Sequence, residues 1–174
     1  ENSKARGVQF VAERIATSSA AAGRGGGRGG ALTEDQQGSL ERGGVIYTEL
    51  CYACHGSDGR GAPTPGASAG ATLAPSLAGS PRVNGHRDYV IKSVLHGLSG
   101  PLDGRSYPQV MVAMGTNSDQ WIADITSYVR NSFGNDAPFV TAADVARRRA
   151  VVAARTKPWT VEELVGSLPV QVVD

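Results

Sequence analysis

The sequence predicts an all-α protein, and three observations support that fold class. Apolar residues recur at three- and four-residue spacing in several separate stretches. Residues that cap helices stand just before those stretches, and the alternating pattern of β-strands is nearly absent. The chain has 174 residues and a net charge of +1, so it is long enough for one domain with extensions. This charge gives no reason to expect a nucleic-acid partner.

Residues 1–36 are predicted to contain a short helix and a linker. Val8, Val11 and Ile15 form an apolar stripe within residues 3–18, as expected for a helix. Residues 18–30 contain only serine, alanine, glycine and arginine, a composition typical of a flexible linker. Because the chain begins at Glu1 rather than Met, we expect that it has been processed or trimmed.

Residues 37–136 are predicted to form the main domain, built on three helices. Thr33 and Gln36 form a capping-box pattern that opens the first helix. Asn84 is the expected cap of the second helix and Ser118 that of the third, which Gly134 is expected to end. The apolar positions expected on the three helices are Leu40, Gly43, Tyr47 and Leu50; Val90, Ile91, Val94, Leu95 and Leu98; and Trp121, Ile122, Ile125, Tyr128, Val129 and Phe133.

Residues 137–174 are predicted to form a helical extension. Thr141 and Thr160 each stand three residues before an acidic residue, and each pattern is a capping box that opens a helix. The first of these helices is expected to run to about Arg155. Three consecutive arginines, residues 147–149, lie in the first of these helices. Their simplest interpretation is one polar face, and a partner-docking surface is the alternative. No stretch of the chain approaches the roughly 18 apolar residues of a membrane span.

The residues Cys51-Tyr52-Ala53-Cys54-His55 carry the clearest chemical signal. Two cysteines three positions apart with a histidine after the second form the attachment pattern of haem c. In that chemistry each thiol adds across one haem vinyl group, and the histidine supplies the proximal nitrogen of the iron. The pattern therefore predicts one covalently bound haem c.

A zinc site, a disulfide redox pair and buried structural thiols are the competing interpretations of the two cysteines. Zinc would require a second pair of cysteine or histidine ligands, and the chain has only 2 cysteines. A thioredoxin-like pair would lie in a βαβ context, which the sequence does not indicate. Haem attachment is thus favoured.

The motif and its surroundings resemble the class I cytochrome c domain. The resemblance rests on Gly43-x-x-x-Tyr47 before the haem motif, a proline-leucine loop at Pro75 and Leu77, a methionine loop and a closing aromatic helix. It implies a cytochrome c fold, with three main helices around one covalent haem c. The first and last helices would cross where Gly43 meets the face of Tyr128. The domain is also similar to the cytochromes of periplasmic quinoprotein, sugar and alcohol dehydrogenases.

The resemblance implies that His55 and a methionine ligate the iron. Met111 aligns with the ligand position of the family, and Met114 would then pack on the haem face. Family members often have Met-Pro-Pro in this loop, whereas Val112 and Ala113 follow Met111 here, so Met114 stays open as the ligand. Ligation by two histidines, with His86 or His96 as the second, is a further alternative.

The remaining candidate haem contacts are also expectations. The carbonyl of Pro75 is expected to accept a hydrogen bond from the second ring nitrogen of His55, by analogy with the usual support of metal-bound histidines. Arg82 and Arg105 are candidates to neutralise the haem propionates, and a solvated arginine is an equal alternative for each. The expected haem wall consists of Leu77, Val94, Leu95 and Tyr107.

The function expected from these features is one-electron transfer by a six-coordinate haem c, without catalysis by the chain itself. The expected partners are a periplasmic dehydrogenase as donor and a cytochrome or oxidase as acceptor. Because haem c is attached on the export side of the membrane, we expect a periplasmic or otherwise extracytoplasmic location. The alternatives are a peroxidase or gas-binding protein with an open sixth position, and a structural subunit of a large redox assembly.

Overall fold

The described part of the chain, residues 31–169 of a computed structural model, is mostly helical, so the all-α prediction is confirmed. The predicted N-terminal helix, most of the linker and the last five residues lie outside it. The helices are α1 (Glu34–Ile46), α2 (Tyr52–His55), α3 (Pro81–Asn84), α4 (Arg87–His96), α5 (Asp119–Arg130), α6 (Ala142–Val151) and α7 (Val161–Gly166). A π-helical turn, Tyr47–Cys51, joins α1 to α2. The two short strands are β1 (Leu98–Ser99) and β2 (Trp159–Thr160).

Four of the predicted helix starts are confirmed. Capping boxes open α1 at Thr33, α6 at Thr141 and α7 at Thr160, and the Ser118 side chain accepts the Trp121 N–H at the start of α5. These caps depend only on residues within one turn of each other, and the side-chain oxygen satisfies an N–H that the helix leaves without a partner. Local sequence was therefore sufficient to locate them.

The predicted cap of the second helix was wrong. Helix α4 begins at Arg87, and its cap is His86, whose Nδ1 accepts the N–H of Asp88 at 3.2 Å. Asn84 instead ends the separate short helix α3, and its side chain bonds Asn135 across the fold. The tertiary contact with Asn135 thus replaces the capping bond that the sequence suggested.

Two predicted helix ends also lie elsewhere. Helix α5 ends at Arg130, before Phe133, and helix α6 ends at Val151 rather than near Arg155. Phe133 has a φ of 60°, which places its backbone in the left-handed region. In that conformation its ring packs 4.9 Å from the ring of Tyr47. The aromatic contact belongs to the turn after α5 and not to the helix.

The crossing of α1 and α5 is close, as the family resemblance implied. A Cβ atom at Gly43 would lie 2.3 Å from the Asp124 carbonyl oxygen and 2.5 Å from the Tyr128 Cβ. Beside this contact the Arg42 guanidinium donates to both carboxylate oxygens of Asp124, at 2.7 and 3.0 Å. The absent side chain at position 43 and this ion pair together set the approach of the two helices.

Residues 137–169 pack into the same hydrophobic core as the three main helices. The buried side chains that they contribute to it are Val140, Val145, Val152, Trp159 and Leu164. β2 also pairs in parallel with β1, in a register that places Leu98 opposite Trp159. Leu98 therefore lies in a strand and not in the second helix, contrary to the prediction. The domain boundary at residue 136 stays a prediction.

The three consecutive arginines of α6 do not form one polar face. Arg147 pairs with Asp144 at 2.5 Å, Arg148 with the buried Asp88 at 2.7 Å, and Arg149 with Asp119 at 2.7 Å. Successive side chains of an α-helix diverge by about 100°, so neighbouring arginines meet different elements. Within residues 31–169, no helix combines the length and the apolar character that crossing a membrane requires.

Candidate haem site

The haem motif occupies the end of the first helical run. Cys51 closes the π-helical turn, and Cys54 and His55 lie in α2. Gly56 ends the run with a φ of 73°, a conformation that side chains other than glycine rarely adopt. The Tyr47 hydroxyl donates to the Gly56 carbonyl at 2.7 Å. This bond ties the end of the motif back to the helix that precedes it.

The two thiols of the motif are half-buried and are not bonded to each other. Burial and the neighbouring Cys54 raise the pKa of the free Cys51 thiol to about 11, so before haem attachment its sulfur is protonated at neutral pH. Among residues 31–169, no group of three or more histidines, cysteines and carboxylates is arranged to hold a metal ion. The zinc alternative thus finds no ligand set in the described part of the chain.

The ring of His55 is oriented by the loop that follows the motif. Its Nδ1 lies 3.3 Å from the Pro75 carbonyl oxygen, the contact expected from the sequence, and Nε2 is left for another partner. Burial lowers the pKa of His55, while the hydrogen bond to Pro75 acts in the opposite direction. The imidazole is therefore neutral at neutral pH, which is the form that can ligate a metal.

Residues 57–77 fold back over the motif and position Pro75. The Gly61 N–H bonds the His55 carbonyl at 2.8 Å, and the Ala62 N–H bonds the Cys54 carbonyl at 2.9 Å. A Cβ atom at Gly61 would lie 2.5 Å from the Ala74 carbonyl oxygen. Only glycine permits the two segments to approach this closely, so the loop is irregular in sequence but tightly packed.

Residues 107–117, here called the methionine loop, carry Met111 and Met114. The backbone of Met111 exchanges two hydrogen bonds with Leu98, at 3.0 and 3.2 Å. Val110 and Val112 on either side are 54% and 63% exposed, whereas Met111 packs against the core. This alternation follows from the extended backbone at the bridge. Met114 also packs against the core, and its N–H bonds the Val94 carbonyl at 2.8 Å.

The predicted haem-wall residues lie within or beside the core. Val94 and Leu95 are buried in the core cluster, and the half-buried Leu77 packs against it. Tyr107 is half-buried, with the Arg105 guanidinium 6.0 Å from its ring centre. Nothing in these contacts distinguishes haem packing from ordinary core packing, so the haem-wall assignment stays a prediction.

The two candidate propionate arginines have protein partners. Arg82 makes a two-pronged ion pair with Asp103, at 2.7 and 2.6 Å, so its guanidinium is already occupied on one side. Arg105 donates to the Gly70 carbonyl at 3.3 Å. Their assignment to the propionates also stays a prediction.

Both alternative histidine ligands are engaged elsewhere. His86 caps α4 through Nδ1. The ring of His96 packs edge-on to Trp159, with 6.5 Å between ring centroids. Burial and the nearby Arg155 and Arg149 lower the pKa of His96, so the cation that a helix C-terminus would favour is suppressed. These contacts give ligation by two histidines no support.

The residues present fit a covalently bound haem c. They offer two thiols at attachment spacing, a neutral imidazole with a nitrogen left for iron, and two thioethers. The side chains of Cys51, Leu77, Leu98, Met111 and Met114 are only partly buried, yet all pack against one hydrophobic cluster. These side chains would provide an apolar surface for the haem macrocycle.

Sequence reasoning missed the role of Leu98 and of the backbone around Gly97. A Cβ atom at Gly97 would lie 2.2 Å from the Met111 carbonyl oxygen, so this glycine does more than end α4. Its neighbour Leu98 has helix-like spacing in the sequence, which concealed the strand. The sequence did predict Gly97 as a stop of this helix, and the helix does end before it; the bridge from Leu98 to Met111 was not predicted.

Comparison with known proteins identifies the family. The Cytochrome c family model matches residues 40–133. An alcohol dehydrogenase (quinone) cytochrome c subunit from Gluconacetobacter polyoxogenes is 36% identical over 109 residues, which are 59% of this chain and 21% of that protein. A gluconate 2-dehydrogenase cytochrome c subunit from Pantoea cypripedii is 32% identical over 139 residues, 77% of this chain and 28% of that protein.

A fructose dehydrogenase cytochrome subunit from Gluconobacter japonicus is 31% identical over 115 residues, which are 62% of this chain and 22% of that protein. The chain thus spans between about a fifth and just over a quarter of the length of these relatives. The family match covers the haem motif, the Pro75 loop, the methionine loop and α5. The chain belongs to the cytochrome c family and is a class I c-type cytochrome with covalent haem c, for which Cys51 and Cys54 have the required spacing.

Proposed function

We propose that this chain is a one-electron carrier whose iron is six-coordinate, with His55 and Met111 as axial ligands. Haem c, when bound, supplies the ferric/ferrous couple. Cys51 and Cys54 would hold the macrocycle, and His55 and Met111 would ligate the iron, which would leave no free position for a substrate. The proposal is supported chiefly by the His55 ring, which is neutral and held at Nδ1 by the Pro75 carbonyl.

The choice of Met111 is supported by its backbone. Both its N–H and its carbonyl are bonded to Leu98, and Val110 and Val112 on either side are exposed. The Met111 side chain is therefore held on the core side of an extended segment. A thioether ligand raises the reduction potential of a haem relative to a second imidazole.

The chain is proposed to receive electrons from a dehydrogenase that oxidises small alcohols or sugars. The names of its relatives support this class of donor, since they are cytochrome subunits of alcohol, gluconate and fructose dehydrogenases. An acceptor cytochrome or oxidase would then remove the electron. Covalent haem attachment supports an extracytoplasmic location for this exchange.

The partners are proposed to approach around Cys51. Leu50 and Tyr52 on either side of it are 50% and 51% exposed. Exposed apolar residues of this kind suit a transient contact that needs little desolvation of charge.

Spectroscopy of Met111→Ala and Met114→Ala tests the coordination. In the wild type we expect the methionine-to-iron charge-transfer band in the ferric state and negligible binding of carbon monoxide in the ferrous state. Met111→Ala should lose the band, lower the reduction potential and bind carbon monoxide, whereas Met114→Ala should retain the band. Loss of the band in Met114→Ala alone would transfer the ligand role to Met114. Rapid carbon monoxide binding by the wild type would favour the gas-binding or peroxidase alternative.

The donor class is tested by mixing the ferric chain with a purified quinoprotein alcohol or sugar dehydrogenase and its substrate. The appearance of the ferrous spectrum measures the rate of reduction. This rate should be lower for Leu50→Glu, with an unchanged reduction potential. Val165→Glu is the control, because Val165 is equally exposed at 50% but lies in α7, away from the haem motif in sequence. Equal rates for both variants would contradict the proposed approach.

A further inference from the structure

Strand β2 of the C-terminal segment pairs with β1, and β1 in turn is bridged to Met111. The Trp159 N–H bonds the Gly97 carbonyl at 3.1 Å, and the Ser99 hydroxyl bonds the Trp159 carbonyl at 3.3 Å. On the edge of β1 opposite to β2, Leu98 exchanges two hydrogen bonds with Met111. Leu98 is thus held between the methionine loop and the C-terminal segment.

The Trp159 side chain anchors this strand in the core. It is 7% exposed, and the Arg155 guanidinium stacks 3.6 Å from its ring centre. Lys92 of α4 lies 5.7 Å from the centre of the same ring. A buried tryptophan near two cations is held by packing and by cation–π attraction, and this holds β2 beside β1.

A second contact from the C-terminal segment reaches the last residues of the methionine loop. Arg149 of α6 donates through Nη1 to the Gly115 carbonyl, through Nη2 to the Asn117 carbonyl at 2.8 Å, and through Nε to Asp119 at 2.7 Å. All three acceptors lie shortly after Met114 in the chain. The planar, charged fork of arginine suits several acceptors held in a fixed geometry.

The methionine loop is otherwise weakly supported where it faces solvent. Val110 and Val112 are more than half exposed, and the residues from Ser106 to Gln109 are also largely exposed apart from the half-buried Tyr107. Loops with this exposure open more readily than buried elements. The contacts at Met111 and at residues 115–117 are therefore expected to limit how often the loop opens.

We propose that the C-terminal segment, residues 141–160, is a clamp that keeps the methionine loop closed on the haem, with Arg149 as its principal positioning residue. This inference rests on the proposed function, in which Met111 is the sixth ligand. The clamp acts on the equilibrium between a closed loop, with methionine on the iron, and an open loop that admits another ligand. The C-terminal segment thereby belongs functionally to the haem site.

Imidazole is the probe for this equilibrium, because it binds ferric iron only when the methionine has left. Its apparent affinity is proportional to the open fraction. For Arg149→Met we expect imidazole to bind about tenfold more tightly, the change that the loss of one or two net hydrogen bonds would give. Arg149→Lys retains the charge and should give an intermediate affinity. Arg147→Met is the matched control and should bind as the wild type does, since within residues 31–169 the ion pair of Arg147 is with Asp144 and not with the methionine loop.

Amide hydrogen exchange in the folded holoprotein gives a second readout. Arg149→Met should speed the exchange of the Met111 and Met114 amides while that of Ile122 and Val129 amides in α5 changes little. A uniform increase across all of these amides, with unchanged imidazole affinity, would show a merely structural role and overturn the clamp.

The role of Met111 as sixth ligand and the clamp by Arg149 can be tested separately. If the wild type lacks the methionine charge-transfer band, or if Met111→Ala retains it, the sixth-ligand assignment fails first. If Met111→Ala loses the band but Arg149→Met binds imidazole as the wild type does, only the clamp is overturned.

Discussion

Gly43 and Tyr128 face each other at the crossing of α1 and α5, where a Cβ atom on the glycine would lie 2.5 Å from the Cβ of the tyrosine. The Asp124 carbonyl oxygen is nearer still, at 2.3 Å. One of the two obstacles is backbone, so a side-chain rotation cannot relieve it. The two helices can cross at this distance only because position 43 has no side chain.

Gly43→Ala is expected to destabilise the folded protein by about 1–3 kcal/mol, because α1 and α5 must separate. Gly38→Ala in the same helix is the control. The nearest atom to a Cβ at position 38 is the flexible end of Arg42, at 3.0 Å. There the higher helix propensity of alanine should leave stability equal or raised by up to about 1 kcal/mol. Guanidinium unfolding followed by circular dichroism measures both, and equal stabilities would contradict the packing argument.

Gly97→Ala is expected to disturb the methionine loop, because its Cβ would lie 2.2 Å from the Met111 carbonyl oxygen. Gly100→Ala is matched in φ, at 81° against 79°, but a Cβ atom there would meet nothing within 4 Å. Both variants should lose about 1–3 kcal/mol, because a residue with a side chain is strained at a positive φ. Only Gly97→Ala should weaken the charge-transfer band of the ferric protein, and an equal loss in both would refute the contact with Met111.

Arg130→Met should destabilise the fold by about 3 kcal/mol, because it leaves three carbonyls without their donor. The buried guanidinium bonds Val83 at 2.6 Å, Gly85 at 3.0 Å and Pro138 at 3.1 Å. Burial, and then the nearby Arg87, lower the pKa of Arg130 to about 10, so it is still charged at neutral pH.

Arg60→Met is the control for this substitution, since the Arg60 side chain is 73% exposed and its nearest acidic atom is 3.8 Å away. Its effect should stay within about 0.5 kcal/mol. Urea or guanidinium midpoints measure both variants. A loss for Arg130→Met as small as that of the control would show that the three bonds contribute nothing.

Asp144→Asn is expected to change how stability depends on pH. Burial alone would raise the pKa of Asp144, but hydrogen bonds from Thr141 and the charges of Arg87 and Arg147 lower it overall. A carboxylate with a lowered pKa in the folded state stabilises above its unfolded pKa, and that stabilisation is lost as pH falls through the folded pKa.

The wild type should therefore be about 1–2 kcal/mol more stable than Asp144→Asn at pH 7. The difference should shrink as pH falls below about 4, the ordinary pKa of an aspartate. Urea unfolding at a series of pH values measures the two curves. Parallel stability curves throughout the acid range would contradict a lowered pKa of Asp144 in the folded protein.

The sequence alone determined the features that depend on neighbouring residues. The caps at Thr33, Ser118, Thr141 and Thr160 each need one side chain and an N–H two or three residues later. The haem motif needs two thiols and an imidazole within five positions. Gly43 also predicted a close approach, because a glycine inside a helix often marks a place where another helix comes near. That the other helix is the one carrying Tyr128 was implied by the family resemblance.

Only the tertiary structure decided which distant groups meet. The three arginines from 147 to 149 look alike in sequence, yet the elements packed around α6 give each a different acidic partner. Likewise Leu98 has the spacing of a helix residue, but hydrogen bonds to Met111 and the strand at Trp159 hold it extended. Local propensities differ by less than 1 kcal/mol per residue, so contacts between segments far apart in the chain outweigh them.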